Sequence, residues 1–447
     1  MIKKDIVRRK WKIILVIGGL VLMVGIGFLV KYGIENARRN EILARFPDRD
    51  VPRINIELNG VGLEEIKGGT KDIKYEGNEL TIYDSEGVSE YEDVEVKGRG
   101  NGTWGQEKKP FQIKFQKKVD LFEMGKARKW LLLANAMDAT NLRTATAFYL
   151  EEMLGMRYRF EGKFVELYVN NEYEGLYYLT HAVEIGKDVI DLKEPTGVLV
   201  ELDNIYGGVE YHYLTQNGDK LVPRDILDKD KLNEAMEDFI KDYNEFEEAV
   251  GRKDYEKIKE LVDVESFAEY YLLSEFSVNP DAYWTSFYMY KDGLNDKIHA
   301  GIGWDFDLAF ANRNWGNWMG EAFYSPTGKM ARKGELITKE EYDELGVGGY
   351  EMSLLLSRIM FDLMEVSEFR EEVLRIFGER MSGRKDELVM AVLKKAEEIE
   401  RLTEENYKKW NNGDYKKDLE EMVEWIEVRY DYFEEEYGGQ QKAKGVI

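Results

Sequence analysis

The chain has 447 residues, 63 Lys+Arg against 87 Asp+Glu, no cysteine and three histidines, with 28 Tyr, 20 Phe and 9 Trp available to build a core. That aromatic supply excludes disorder as the main state, and the missing cysteines exclude disulfides, thiol nucleophiles, Cys-ligated zinc and iron–sulfur clusters. A formal net charge of −24 opposes a nucleic-acid backbone, so no nucleic-acid partner is expected and chemistry must rest on carboxylates, Lys, Arg and hydroxyls.

The first 45 residues hold ten Lys+Arg and three Asp+Glu, a balance of +7 that leaves −31 on the rest. Ile13 to Val30 is an uncharged run of 18 residues, long enough to cross a hydrocarbon core, with Trp11 and Tyr32 as interfacial anchors. Lys3, Lys4, Arg8, Arg9, Lys10 and Lys12 precede it, which by the positive-inside rule predicts a cytoplasmic start and an outer bulk. No small-residue cleavage site follows, which favours an anchor over a signal peptide. Residues 1–34 therefore read as a basic start and single transmembrane helix in the cell membrane, 35–51 as a charged stalk, 52–437 as one α+β domain, and 438–447 as a disordered tail.

Within 52–225 the patterning is β-rich. RINIEL, DIKYEG and ELTIYD alternate apolar and polar residues, and DVEVKGRG, a glycine-rich turn and KPFQIKF form a β-loop-β unit. WLLLANAMDATNLRTATAFYLEEMLG reads as a strand, a turn capped near Asp138 or Thr140, and a helix ended by Gly155. KFVELYVNNEYEGLYYLTHAVE is a hairpin turning at Asn170-Asn171, and GVLVELD and EYHYLT continue the sheet. From Asp228 the period changes to 3.6, so 226–437 is mainly helical, with FYMYKDG and IHAGIGWDFDLAF as strand-like inserts. Gly316 to Gly349 reads as loop, and the helices beyond Met352 are acidic.

Two clusters carry candidate chemistry. Gly98-Arg99-Gly100-Asn101-Gly102-Thr103-Trp104-Gly105 contains G-x-G-x-x-G between two strands, which suits a loop covering phosphates or a tight bulged hairpin. Lys108, Lys109 and Lys114 follow it; because Phe111, Ile113 and Phe115 take the buried face, Lys109 and Lys114 need a cleft on the other side. The second cluster is Asn279-Pro280-Asp281 after an apolar helix and Trp304-Asp305-Phe306-Asp307 after an apolar strand. The two aspartates of D-F-D are hard oxygen donors suited to Mg²⁺ or Mn²⁺, or else caps of a turn. His181, His212 and His299 have no metal-ligand spacing, and G-x-S-x-G is absent.

The ordered series VKGRGNGTWGQEKKPFQIKF, KWLLLANAMDATNLRTATAFYLEEMLG, FVELYVNNEYEGLYYL, GVLVELD, NPDAYWTSFYMYKDG and GIGWDFDLAF resembles the CotH kinase family, named for a bacterial spore-coat protein, over about Arg53 to Tyr437. The resemblance implies an atypical protein-kinase-like fold that uses ATP with Mg²⁺ or Mn²⁺ to phosphorylate Ser or Thr of a partner protein at the cell surface or spore coat. By motif it implies a catalytic Asp281, a metal-binding Asp305 with Asp307 as second ligand, and a nucleotide loop of Arg99, Gly100, Asn101 and Gly102. Lys108 and Lys109 then match the family's lysine pair and are preferred to Lys114 for phosphate contact, and Asp138 and Arg143 match its D-x-x-x-x-R element. Two departures stand out: His181 occupies a position where many relatives carry Glu, with Glu201 or Glu184 as substitutes, and Gly102 one where Ser is usual. The rival readings are a metal-dependent glycosyltransferase, since D-x-D after a strand also suits a nucleotide sugar, and a kinase-like surface scaffold that has lost transfer.

Overall fold

The computed structural model describes residues 51–204, 212–279, 281–283, 285–312, 358–411 and 413–438, with short strand segments at 322–323, 330–332 and 335–337. The apolar run Ile13 to Val30, the stalk to Asp50 and the tail beyond Gly438 lie outside the described residues. Among those described, no helix is long and apolar enough to cross a membrane.

The protein is a mixed α+β structure with a β-rich front half and a helical back half, and the front half closes on itself. Strands β1 (Arg53–Glu57), β2 (Lys74–Asp84), β3 (Gly87–Gly98), β4 (Phe111–Asp120), β5 (Lys126–Leu133), β6 (Gly162–Val169) and β7 (Glu172–His181) form a seven-stranded barrel in the order β1-β2-β3-β4-β5-β7-β6. Closure comes from a parallel pairing of β1 with β6, Arg53 opposite Glu166. Period-two alternation sends Ile54, Ile56, Leu80, Ile82, Val94, Val96, Phe111, Ile113, Phe115, Trp130, Leu132, Val165, Leu167, Tyr177 and Leu179 into one barrel core. Alternation along the strands was readable from the sequence; that the first and sixth strands would meet was not, because that pairing spans more than a hundred residues.

Two expected strands, DIKYEG and ELTIYD, are one strand. At Gly77-Asn78 the chain bulges and does not turn: the register with β3 shifts on both sides of Asn78, whose amide donates to the Tyr75 carbonyl (2.7 Å) and the Val94 carbonyl (2.8 Å). A bulge keeps the ladder running while bending it, as a barrel wall requires.

Helix α1 (Leu63–Gly68) covers one barrel edge, and α2 (Arg143–Leu154) leads away from the barrel. Asp138 starts α2 from outside the helix, accepting the N–H of Arg143 (2.9 Å) and of Thr140 (3.0 Å), and Gly155 ends it as expected. A second sheet runs β12-β11-β8-β10-β9, built from β8 (Val198–Leu202), β9 (Tyr213–Leu214), β10 (Lys220–Ile226), β11 (Phe287–Lys291) and β12 (His299–Ala300). Strand β10 was not foreseen, since Pro223 argues against a strand; it is accommodated at a bulge between Pro223 and Asp225. Of EYHYLT only Tyr213–Leu214 pairs, and Glu210 and Tyr211 lie outside the described residues.

Helices α3 (Leu232–Arg252), α4 (Tyr255–Leu261) and α5 (Val264–Ser277) follow, then α6 (Arg358–Met364), α7 (Ser367–Ile376), α8 (Lys385–Trp410) and α9 (Tyr415–Phe433). Helix α3 buries Ala235, Met236, Phe239, Tyr243, Phe246 and Val250 along one face, whereas α5 is buried on all sides from Ser266 to Ser277. Its centrality matters: α5 delivers its C-terminus to the site. Between α5 and α6 three short strands, β13 (Ala322–Phe323), β14 (Met330–Arg332) and β15 (Glu335–Ile337), pair within the stretch read as loop. The rest of that stretch lies outside the described residues.

One buried charge inside this frame gives a stability prediction. Lys108 lies after the glycine-rich turn, 2 % exposed, its Nζ donating to the Leu176 carbonyl and standing 4.7 Å from the centre of the Tyr177 ring. Burial, with Lys409 adding repulsion against the opposing pull of Glu174, lowers its pKa from 10.5 to about 7. Between pH 7 and 10.5 the unfolded chain therefore binds the extra proton and the folded chain does not, so stability rises with pH across that window and the cost of a buried cation is fully present below it. The difference in melting temperature between wild type and Lys108→Met should shrink as pH is raised from 6 to 10, with the variant gaining most at the acid end. A difference that is flat with pH would show that Lys108 stays charged throughout.

Candidate active site

The glycine-rich loop joins β3 to β4. Its tight turn depends on Gly100, which stands at φ 79° with Thr103 Oγ1 only 2.0 Å from where a Cβ would sit; Gly102 has an ordinary φ of −58° and open space around it. Gly102 therefore leaves room for a side chain, and its backbone is the open part of the loop. These two glycines separate two effects that substitution would otherwise mix. Gly100→Val should damage the loop itself, whereas Gly102→Val should leave the melting temperature unchanged and still lower ATP affinity about tenfold or more if backbone N–H groups contact phosphate, the loss of one charge-assisted hydrogen bond. Calorimetry on Gly102→Val showing wild-type affinity would remove the loop from the nucleotide site.

Arg99 projects from the outer face of the barrel, and its guanidinium lies over the Trp304 ring at 5.6 Å. It faces Asp305, Tyr288 and Asp307, whose charges favour its cation against the burial that lowers its pKa. The loop and the D-F-D segment therefore meet. Asn101 is engaged by Lys71, whose pKa is lowered by burial and by the charges of Arg99 and Arg224 against the pull of Asp72.

The aspartates come from two directions. Helix α5 ends with Val278 in the left-handed conformation, and the Asn279 side chain then accepts the Asp281 N–H (3.2 Å) while donating to the Trp304 carbonyl (3.5 Å). Asn279 so ties N-P-D to W-D-F-D. Asp305 stands exposed at φ 66° and accepts from Ser286 Oγ at 3.3 Å. Asp281 is pushed up from the usual carboxylate range by burial and then by the charge of Asp305; Asp307 is also pushed well up, by burial and by Asp305, Asp281 and Asp138. Like charges crowded in this way are relieved by a proton or by a cation, and Arg99 is already in the field.

IHAGIGWDFDLAF is a strand only at His299–Ala300. From Gly301 the chain leaves the sheet: Gly301 and Ile302 both stand at positive φ, 114° and 85°, in succession, away from the extended backbone of a strand. The aspartates thus sit on an irregular turn.

Asp138 and Arg143 form a buried ion pair behind this turn, and Arg143 Nε donates to the Ala309 carbonyl at 2.9 Å. They brace the far end of the D-F-D segment. Glu201 lies on β8 opposite Tyr288 of β11; with Asp203 it holds Arg224, and Asp203 accepts from Thr285 Oγ1 at 3.1 Å, four residues from Asp281. Burial raises the Glu201 pKa against the opposing charge of Arg224.

The lysines go elsewhere. Lys108 is spent on the Leu176 carbonyl. Lys109 Nζ donates to the Trp104 carbonyl (2.5 Å) and lies 5.1 Å over the Trp104 ring, which pins the loop. Lys114 is on the outer face of the barrel, paired with Glu95 at 3.5 Å, and Lys129 beside it pairs with Glu184 at 2.6 Å. The preference for Lys108 and Lys109 as free phosphate contacts followed their place in the motif; in the fold Lys108 is turned into the packing against α8. His181 packs on Trp130 with ring centres 4.2 Å apart and the planes tilted by 46°, its pKa lowered by burial, and takes no part in these pairs. Sequence reasoning passed over Lys71, Arg224, Asp203 and Ser286, which only the joining of the barrel to the second sheet brings into the field.

Among the described residues no group of three or more His, Cys, Asp or Glu side chains is arranged to hold a metal ion. A pair of carboxylates is the fit for Mg²⁺, which keeps waters and takes one or two carboxylates plus substrate phosphates. Asp305 and Asp307, hard oxygen donors two positions apart on the turn, match that requirement.

A glycine-rich β-loop-β unit thus brings its arginine against aspartates carried by the back half, the arrangement for which a kinase-like family is the comparison to make. The chain matches the family model of the CotH kinase protein over residues 96–433, most of its length, and belongs to that family. No curated protein matches it.

Proposed function

We propose that the chain is an atypical protein kinase, of a protein-kinase-like fold, that transfers the γ-phosphoryl group of ATP to Ser or Thr of a partner protein. The observation that supports it best is the meeting of Arg99, over the Trp304 ring, with Asp305 and Asp307, beside which Asn279 ties Asp281. Asp305 and Asp307 would hold Mg²⁺ or Mn²⁺, which when bound offsets phosphate charge. Gly100 to Gly102 offer backbone N–H groups to phosphate, and Arg99 supplies a fixed cation beside it. Asp281 accepts the proton of the acceptor hydroxyl as that oxygen attacks the γ-phosphorus; the bond from phosphorus to the bridging oxygen breaks and ADP leaves. Glu201 and Asp203 hold Arg224 in place at the cleft edge. Transfer of label from γ-labelled ATP to protein, with Mg²⁺ or Mn²⁺ supplied, tests the reading. Activity with nucleotide sugars and none with ATP would replace it by the glycosyltransferase.

One observation favours a second reading, a surface scaffold without transfer: Lys108, Lys109 and Lys114 all have protein partners. Metal-dependent ATP binding in the absence of transfer would select it.

The enzyme is proposed to act outside the cytoplasm on a cell-surface or spore-coat protein, held by the helix of Ile13 to Val30 with its N-terminus inside. Protease added to intact cells should remove the folded domain, and full protection would reverse the orientation.

A further inference from the structure

The turn from Gly301 to Asp305 is strained. Ile302, fully buried, stands at φ 85° and Asp305 at 66°, between Gly301 at 114° and the buried Phe306. A β-branched residue rarely takes such a backbone, and strain of this kind persists where neighbours over-determine it. Two restraints come from the site side: Gly301 N–H donates to the Tyr288 carbonyl (3.2 Å), and Asn279 donates to the Trp304 carbonyl. The third comes from behind, from Glu151 of α2.

Glu151 has no exposed surface. Its Oε2 accepts the Phe160 N–H at 3.3 Å, and the Gly303 amide faces the same carboxyl. Its Oε1 has no hydrogen-bond partner and is pressed so close to Gly303 that a Cβ there would lie 2.2 Å away. A buried carboxyl with an oxygen left over is a costly way to fill space that Leu or Met would fill. Neither the glycine-rich loop nor the aspartate group uses it.

We propose that Glu151 is a positioning residue, its buried carboxyl propping Gly303 so that the strained turn presents Asp305 to the cleft. The catalytic part of this inference rests on the proposed role of Asp305; the propping does not. Burial holds the carboxyl protonated well above the usual range, so a glutamine amide, with one donor side and one acceptor side, is its near isostere.

The test uses the full chain with wild type, Glu151→Gln, Glu151→Leu and Gly303→Ala, reading hydrogen exchange in the segment 298–310 and affinity for Mn²⁺·ATP. Glu151→Gln should match wild type in both. Glu151→Leu should exchange faster in that segment and bind Mn²⁺·ATP about 10- to 100-fold more weakly, the usual range for losing a group that orients a ligand. Gly303→Ala, which keeps the carboxyl but pushes the turn off it and off Leu273 and Phe306, 2.7 and 2.8 Å from the added Cβ, should do the same and serves if Glu151→Leu does not fold. Wild-type exchange in Glu151→Leu, or in Gly303→Ala should the first not fold, overturns the inference, as does faster exchange with unchanged affinity. If wild type itself binds no Mn²⁺·ATP, the kinase reading falls and the exchange measurement alone decides whether Glu151 props the turn.

Discussion

Asp281→Asn should leave Mg²⁺·ATP affinity within about twofold of wild type and slow phosphoryl transfer by about 10² to 10⁴, the scale for losing a positioned base. Asp305→Asn should lower metal-dependent ATP affinity and transfer together, because an ionic oxygen donor is replaced by a neutral one of the same size. The two variants part because the residues arrive on different elements: Asp281 at the end of α5, held through Asn279, and Asp305 on the exposed turn after β12. Asp305→Asn removes charge from a crowded group, and Asp281→Asn replaces a carboxyl already pushed toward its neutral form by burial and by Asp305, so neither should lower the melting temperature. Calorimetry, a transfer assay and a thermal melt on the two proteins decide it. Equal transfer in both would remove the pair from the site, and a large fall in melting temperature without selective loss of either step would make them turn caps.

How much of this was legible beforehand differs by feature, and the reason is sequence distance. Strands of the front half show as period two, and α2 is readable to its last residue because Gly155 is a local signal. The barrel closure depends on Arg53 finding Glu166, which no window along the chain contains. The tight turn of the glycine-rich loop was legible because its motif carries its own geometry, with Gly100 at φ 79°. At Lys108, chosen for its place in the motif, the enclosure was not legible, because it comes from the docking of α8 against β7, where Asn406 accepts the Leu176 N–H at 3.1 Å. IHAGIGWDFDLAF was read as strand-like because it is apolar; its polar aspartates are presented by backbone conformations that apolar periodicity does not encode.

Asp138 offers the second large effect, on stability. It is buried with Arg143 and accepts four donors: the Thr140 N–H (3.0 Å), the Thr140 hydroxyl (2.7 Å), the Arg143 N–H (2.9 Å) and the Arg143 guanidinium. Removing one partner of a buried ion pair leaves the other charge uncompensated, a loss of about 3 to 5 kcal/mol. For a folded part of this size that corresponds to a fall in melting temperature of about 4 to 6 °C. Asp138→Ala should show that fall. Asp138→Asn should lose less, since its carbonyl oxygen still accepts from Thr140 while the charge pair is gone. Although the Asp138 charge reaches Asp307, its oxygens are occupied by these four donors, so Mg²⁺·ATP affinity measured well below the melting transition should change far less than in Asp305→Asn. If Asp138→Ala instead abolishes metal-dependent binding at an unchanged melting temperature, Asp138 belongs among the ligands, and the buried pair with Arg143 does not describe its role.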